Sequence, residues 1–184
     1  MEPYKNIHKD LIKACKRGER KAQTQLYLLY VKAMYNVAFR ILNDVHEAED
    51  AMQEAFIKAF DKLNTYSETV SFGAWLKKIV VNTSLDVLRK KKDVFENMDH
   101  LADIADENVE TSVSSISLEA LKIRNAIMQL ASGYRIILSL YLLEGYDHDE
   151  ISKILGISAS TSRSQLTRAK KKLLSILQEN KNFS

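Results

Sequence analysis

The chain has 184 residues, 46% of them hydrophobic and 28% charged, and a formal net charge of +3. That length holds one medium domain or two small ones, and so small a net charge leaves a nucleic-acid role to be decided by where the charge lies. A single cysteine, Cys15, excludes an internal disulfide and suits a reducing compartment.

The start, Met-Glu-Pro-Tyr-Lys, lacks the profile of a signal peptide. No apolar run approaches the roughly 18–20 residues that cross a bilayer. A cytoplasmic protein without membrane insertion is expected. Glycine is scarce, the only proline is Pro3, and Leu, Ala, Lys, Glu and Gln are plentiful, which together favour uninterrupted helices. The expected fold class is all-α.

In chain order, the first helix is expected over about residues 7–16, stopping near Gly18. The second runs from about 19 to 42, with Leu26, Leu29, Tyr30, Ala33, Val37 and Ile41 recurring along one face. Asp44 is placed to cap the third, and Glu47 three residues on makes an Asp-x-x-Glu capping box. The third helix extends to about Leu63 behind the stripe Met52, Phe56, Ala59, Phe60 and Leu63. A polar loop, Asn64–Ser71, leads to a fourth helix from about Phe72 to Lys92, anchored by Phe72, Trp75, Leu76, Ile79, Val80 and Leu88.

The charge then changes sign abruptly. Arg89-Lys90-Lys91-Lys92 is followed by Asp93, Glu96, Asp99, Asp103, Asp106, Glu107 and Glu110 without a Lys or Arg between them. The apolar residues of this stretch have no period, so it reads as an acidic linker. The expected organisation is a helical domain over residues 1–92, a linker over 93–115 and a second helical domain over 116–184. Four shorter helices are expected in the second domain. Asp147 with Glu150 caps one at 148–155, Gly156 ends it, and Ser158 caps a last one from about Ala159 to Leu177. Two helices joined by so short a glycine-containing turn read as a helix-turn-helix.

Three side-chain groupings carry functional expectations. On the last helix, Leu166, Ala169 and Leu173 face inward. Ser160, Ser164, Thr167, Arg168 and Lys171 lie opposite, with Arg163 on the flank. Short hydroxyls and long cations suit a major groove, where they meet base edges and phosphates. On the third helix Glu47, Asp50 and Glu54 share a face flanked by Gln53. A solvated acidic face is the commonplace reading, and a docking surface for a basic partner the functional one. On the fourth helix Asn82, Asp86 and the terminal cluster Arg89, Lys90, Lys91 and Lys92 suit single-stranded or distorted nucleic acid, while Trp75 is expected in the core. Neither a catalytic set nor a metal site is expected, and no cofactor: His46-Glu47-x-x-Asp50 lacks the second histidine of the zinc-protease pattern. On the helix-turn-helix alone, a stand-alone repressor or activator and a non-DNA helical adaptor remain open.

Three stretches in order resemble the extracytoplasmic function (ECF) type of the sigma-70 family of RNA polymerase sigma factors. Glu47-Ala-Glu-Asp-Ala-Met-Gln-Glu-Ala-Phe56 is similar to region 2.2. Phe72-Gly-Ala-Trp-Leu-Lys-Lys-Ile-Val-Val-Asn-Thr-Ser-Leu-Asp-Val-Leu-Arg89 is similar to regions 2.3 and 2.4. Tyr146 to Lys172 and Leu173 is similar to region 4.2. The resemblance implies a region 2 bundle and a region 4 helix-turn-helix, with core RNA polymerase and promoter DNA as partners. It assigns Glu47, Asp50, Gln53 and Glu54 to the β′ clamp helices. The −10 element falls to Asn64, Thr65, Tyr66 and Ser67 of the loop, with Asn82, Asp86, Arg89, Lys90, Lys91 and Lys92. The −35 element falls to Ser160, Arg163, Ser164, Thr167, Arg168 and Lys171, near the β flap. An anti-sigma factor is a further partner the family allows. Two positions depart from the pattern. Ala131-Ser132 stands where Leu-Pro often opens a helix, and Ser162 stands where valine is common, its hydroxyl expected to bond back to its own helix.

Overall fold

The computed structural model describes residues 8–91 and 118–182. The acidic linker expected over 93–115, and Lys92 with it, lie outside the described residues. Every regular element among the described residues is helical, and the chain divides into two compact units, Met1–Lys91 and Lys92–Ser184.

The first unit holds α1 (Lys9–Lys16), α2 (Arg20–Leu42), α3 (Val45–Asp61), a 3-10 turn (Leu63–Thr65) and α4 (Phe72–Lys90). Helices α2, α3 and α4 pack on one another, and α1 lies against α2. What lets α3 sit between two long neighbours is its run of alanines. Ala48, Ala51, Ala55 and Ala59 recur every three or four residues and are at most 1% exposed. Small side chains at that spacing let the neighbouring helices come close. Larger anchors fill the space around the seam: Leu26 and Ile41 of α2, Phe56 of α3, and Phe72, Leu76, Val80 and Leu85 of α4. Each such side chain stabilises the unit by about 1.5–3 kcal/mol through apolar burial.

Two expectations about these faces change. Leu29 is 54% exposed, and Ala33 is also on the surface. The buried face of α2 instead follows Ala22, Leu26, Met34, Val37, Ala38 and Ile41. A long helix wedged against three others is buried on a broad, shifting face, so a single stripe drawn through one three-residue step leaves it. Helix α3 also stops at Asp61, and Leu63 is buried from the 3-10 turn instead.

The second unit holds α5 (Leu118–Met128), α6 (Ser132–Leu138), a π-helical turn (Ser139–Leu143), α7 (His148–Leu155) and α8 (Ala159–Asn182). Helix α8 is the hub, packed on α5, α6 and α7. Its Leu166, Ala169 and Ile176 meet an interior built from Leu130, Ile137, Leu138, Leu140, Ile151 and Leu155. The π turn was not legible in the sequence. It prolongs α6 while leaving Leu142 and Leu143 about half exposed, at 49% and 48%.

The caps at the two helix-helix joints differ. Asp147 accepts the backbone N–H groups of Asp149 and Glu150, and the Glu150 carboxylate accepts that of Asp147 at 3.0 Å, so the box is complete. Gly156 then closes α7 at φ 71°, a left-handed backbone that side-chain-bearing residues rarely adopt. At α3 only half of the expected box forms. Asp44 accepts from the Glu47 N–H at 2.9 Å, but the Glu47 carboxylate pairs with Lys91 at the end of α4.

Asp147→Ala removes both side-chain bonds that start α7. It should lower stability by about 0.5–2 kcal/mol, read as a lower urea midpoint. Asp147→Asn, which keeps an accepting oxygen, should stay near the parent; equal midpoints for all three proteins would remove the cap from the account of this fold.

Candidate nucleic-acid and partner interfaces

Helix α8 divides cleanly. Its inner side is held by the apolar contacts above, and Ser160, Arg163, Ser164, Thr167, Arg168 and Lys171 are all exposed. Lys170 and Lys172 are exposed beside them. Two of the hydroxyls already donate within the helix: Ser164 to the Thr161 carbonyl and Thr167 to the Arg163 carbonyl, each at 3.0 Å. Their oxygens therefore remain outward as acceptors. Ser162 does not do this. It is fully buried, and its Oγ lies 2.9 Å from His148 Nδ1 on α7. The bond crosses between helices, contrary to the back-bond expected from sequence, because Ser162 points inward where a partner on α7 is within reach.

The acidic face of α3 is real but not uniform. Asp50, Gln53 and Glu54 are exposed, whereas Glu47 is only 25% exposed in its side chain and is ion-paired with Lys91. Glu54 pairs with Lys58 at 2.7 Å. Ile57, 63% exposed, sits one turn beyond Gln53 and Glu54. An apolar side chain among charges is how protein interfaces are commonly arranged, with charge at the rim. Sequence reading missed Ile57 because it stood outside both the apolar stripe and the acidic set.

Along α4, Trp75, Lys78, Asn82, Asp86 and Arg89 recur at spacings of three and four, so they follow one face. Lys78, exposed on that line, was not singled out in the sequence. Asp86 and Arg89 pair at 2.9 Å, and Lys90 and Lys91 are exposed. The loop residues and the terminal cations stand at opposite ends of α4, on the order of 25–30 Å apart at the helical rise. The −10 set is thus strung along a helix instead of gathered in one pocket. A groove of about 300 Å³ between α3 and α4 is lined by Glu54, Lys58, Thr83, Asp86, Val87, Arg89 and Lys90. It joins a residue of the acidic face, Glu54, to three of the −10 set, Asp86, Arg89 and Lys90.

The loop is better anchored than its polarity implied. Asn64, Thr65 and Ser67 are exposed, but Tyr66 is 3% exposed. Its hydroxyl donates to the Val70 carbonyl at 2.6 Å, and Lys16 Nζ donates to its own carbonyl at 3.1 Å. Its ring packs on Phe72 and Trp75. Tyr66, expected beside Asn64, Thr65 and Ser67, thus differs from them in burial: an amphipathic side chain in a polar stretch has turned inward to hold the loop. Trp75 is half-buried, its ring tilted against Tyr66 and Phe72 in this aromatic cluster and not enclosed by it. Gly73 belongs to the same packing, since a Cβ there would come within 3.0 Å of the Tyr30 ring.

Burial pushes the Cys15 thiol above its ordinary range, with the Glu19 charge adding to it, so it is not set up as a thiolate. Burial, with Glu144 and then Glu150 beside it, pushes Tyr146 up to about 12 and keeps the phenol protonated. Among the described residues no group of three or more His, Cys, Asp or Glu is placed to hold a metal, and no helix is long and apolar enough to cross a membrane.

Comparison with known proteins places two family models on the chain: Sigma-70 region 2 over residues 26–94 and Sigma-70, region 4 over residues 120–173. The ECF RNA polymerase sigma factor SigW of Bacillus subtilis is 30% identical over 175 residues, covering 90% of this chain and 94% of that protein. The RNA polymerase sigma-H factor of Pseudomonas aeruginosa is 29% identical over 181 residues, covering 91% and 92%. Among solved structures, the sigma factor RpoE in complex with the anti-sigma factor NepR from Bartonella quintana matches with a TM-score of 0.59 at 22% identity, over 84% of this chain and 96% of that one. CnrH in complex with the cytosolic domain of CnrY matches with a TM-score of 0.54 at 21% identity, over 92% and 96%. At these identities the two structures speak for the fold.

Proposed function

The chain belongs to the sigma-70 family as an extracytoplasmic function RNA polymerase sigma factor, and from that premise we propose which of its faces meets which partner. It binds core RNA polymerase and directs promoter-specific initiation of transcription. The observation that carries the finer reading is the one-sided build of the first half of α8: Leu166 and Ala169 are buried, while Ser160, Arg163, Ser164, Thr167, Arg168 and Lys171 are exposed.

In this reading α8 reads the −35 element. Arg163, Arg168 and Lys171 hold phosphates or guanine edges, and Ser160, Ser164 and Thr167 present short polar groups to bases. Helix α3 docks on the β′ clamp helices through Asp50, Gln53, Glu54 and Ile57, with Glu47 at the edge. The loop and α4 read the −10 element: Asn64, Thr65 and Ser67 around an unstacked base, Asn82 and Asp86 along the strand, and Arg89, Lys90, Lys91 and Lys92 on phosphates. Tyr66 supports that loop from beneath. The domains are assigned to residues 1–92 and 116–184, with 93–115 as the linker between them, and the β flap lies near the second. The protein works in the cytoplasm, where the polymerase is. An anti-sigma factor is a further partner, as one is for the Bartonella quintana relative. The assignment calls for no catalytic step and no cofactor.

Reversing Asp50 and Glu54 to Lys should weaken binding to core polymerase by about 1–3 kcal/mol in a titration, with folding intact since both side chains are exposed. Unchanged affinity would take α3 out of the interface. Asn82→Ala should reduce strand opening, followed by permanganate reactivity, more than it reduces closed-complex formation. Normal opening would leave α8 as the sole DNA reader in this account.

A further inference from the structure

We propose that Ser162 and His148 are positioning residues that set the rotation of α8 about its own axis and thereby its discrimination of promoter sequence. The proposal rests on the reading of α8 as the −35 helix and adds to it two residues that need not touch DNA.

Ser162 is 0% exposed, yet it is neither apolar nor bonded back to its own helix in the manner of Ser164 and Thr167. Its hydroxyl meets His148 Nδ1 at 2.9 Å, fourteen positions away in the chain. His148 is the first residue of α7. Its ring stacks on Tyr141 of the π turn, with centroids 4.7 Å apart and planes 24° from parallel. Lys170 of α8 places its Nζ 5.7 Å over that same Tyr141 ring. One contact chain thus links α8, α7 and the π turn, and returns to α8 two turns further on.

Much of the joint between α7 and α8 is aliphatic, with Ile151 and Leu155 of α7 and Leu166 and Ala169 of α8 buried there beside Gln165. Such contacts are strong but non-directional, and a helix can roll slightly over them at little cost. A hydrogen bond weakens steeply as its angle closes, so the Ser162–His148 bond resists that roll. Reading base edges needs placement to roughly 0.5 Å, and Arg163 and Ser164 directly follow Ser162. A hydroxyl both donates and accepts, so the bond forms with either imidazole tautomer. At so enclosed a position the hydroxyl supplies a directed contact that an apolar side chain could not.

The test uses full-length protein assembled with core polymerase and two promoters that differ only in an intact or scrambled −35 element. Ser162→Val and His148→Phe, which keeps a ring against Tyr141, should each lower the preference for the intact element about 3- to 10-fold. Binding to the scrambled promoter should hold steady. The double variant should lose no more than the larger single loss, and Ser162→Thr should restore the preference. Urea midpoints of the free proteins should not follow these losses. If Ser162→Val does not fold, Ser162→Ala takes its place. Additive losses, equal losses on both promoters, or an unaltered preference would overturn the proposal. Arg168→Ala serves as the control. If it lowers the preference while the Ser162 and His148 variants do not, only the positioning role fails. If it too has no effect, the −35 reading of α8 fails with it.

Discussion

Both units depend on one-sided burial: a helix can present a polar face to a partner only if its other face is held tightly enough to need nothing from the first. Helix α3 meets this with alanines, α8 with leucine, alanine and isoleucine. In each case the faces proposed for polymerase and DNA contribute little to folding. Exposed charges and hydroxyls change stability by tenths of a kcal/mol, while the buried side chains behind them are each worth several times that. Partner chemistry and fold are therefore carried by different residues of the same helices.

That separation also explains how much the sequence disclosed. Helix spans followed from apolar spacing and from caps that act within four residues, such as Asp147 with Glu150 and Gly156. The outward set on α8 was legible because polar residues opposite an apolar stripe have one place to go. What escaped was set by partners distant in the chain. Nothing near Glu47 announces Lys91, and nothing near Ser162 announces His148. Leu29 was assigned inward because spacing alone does not say how many helices surround α2. Tyr66 was grouped with its polar neighbours because a tyrosine has an apolar body and a polar tip, and its surroundings decide which one is hidden.

Charge in the first unit is more interlaced than its sequence blocks imply. The acidic α3 face and the cationic end of α4 look like separate signals, yet Lys91 reaches Glu47, Glu54 holds Lys58, and the groove between the helices mixes both signs. A partner approaching this surface meets side chains already paired, and must exchange ion pairs instead of simply neutralising bare charge. Exchange of that kind adds less affinity than the charge count suggests and more demand on register.

The alanine seam of α3 has a consequence for how such a protein can diverge. Ala48, Ala51, Ala55 and Ala59 are at most 1% exposed, and added methylenes in a tight contact force neighbours apart. Along the other side of the same helix, Asp50, Gln53 and Ile57 are bounded by solvent. Descendants of one ancestor can therefore exchange one partner for another by substitutions on α3 that never enter the seam. The scaffold can stay fixed while its specificity drifts.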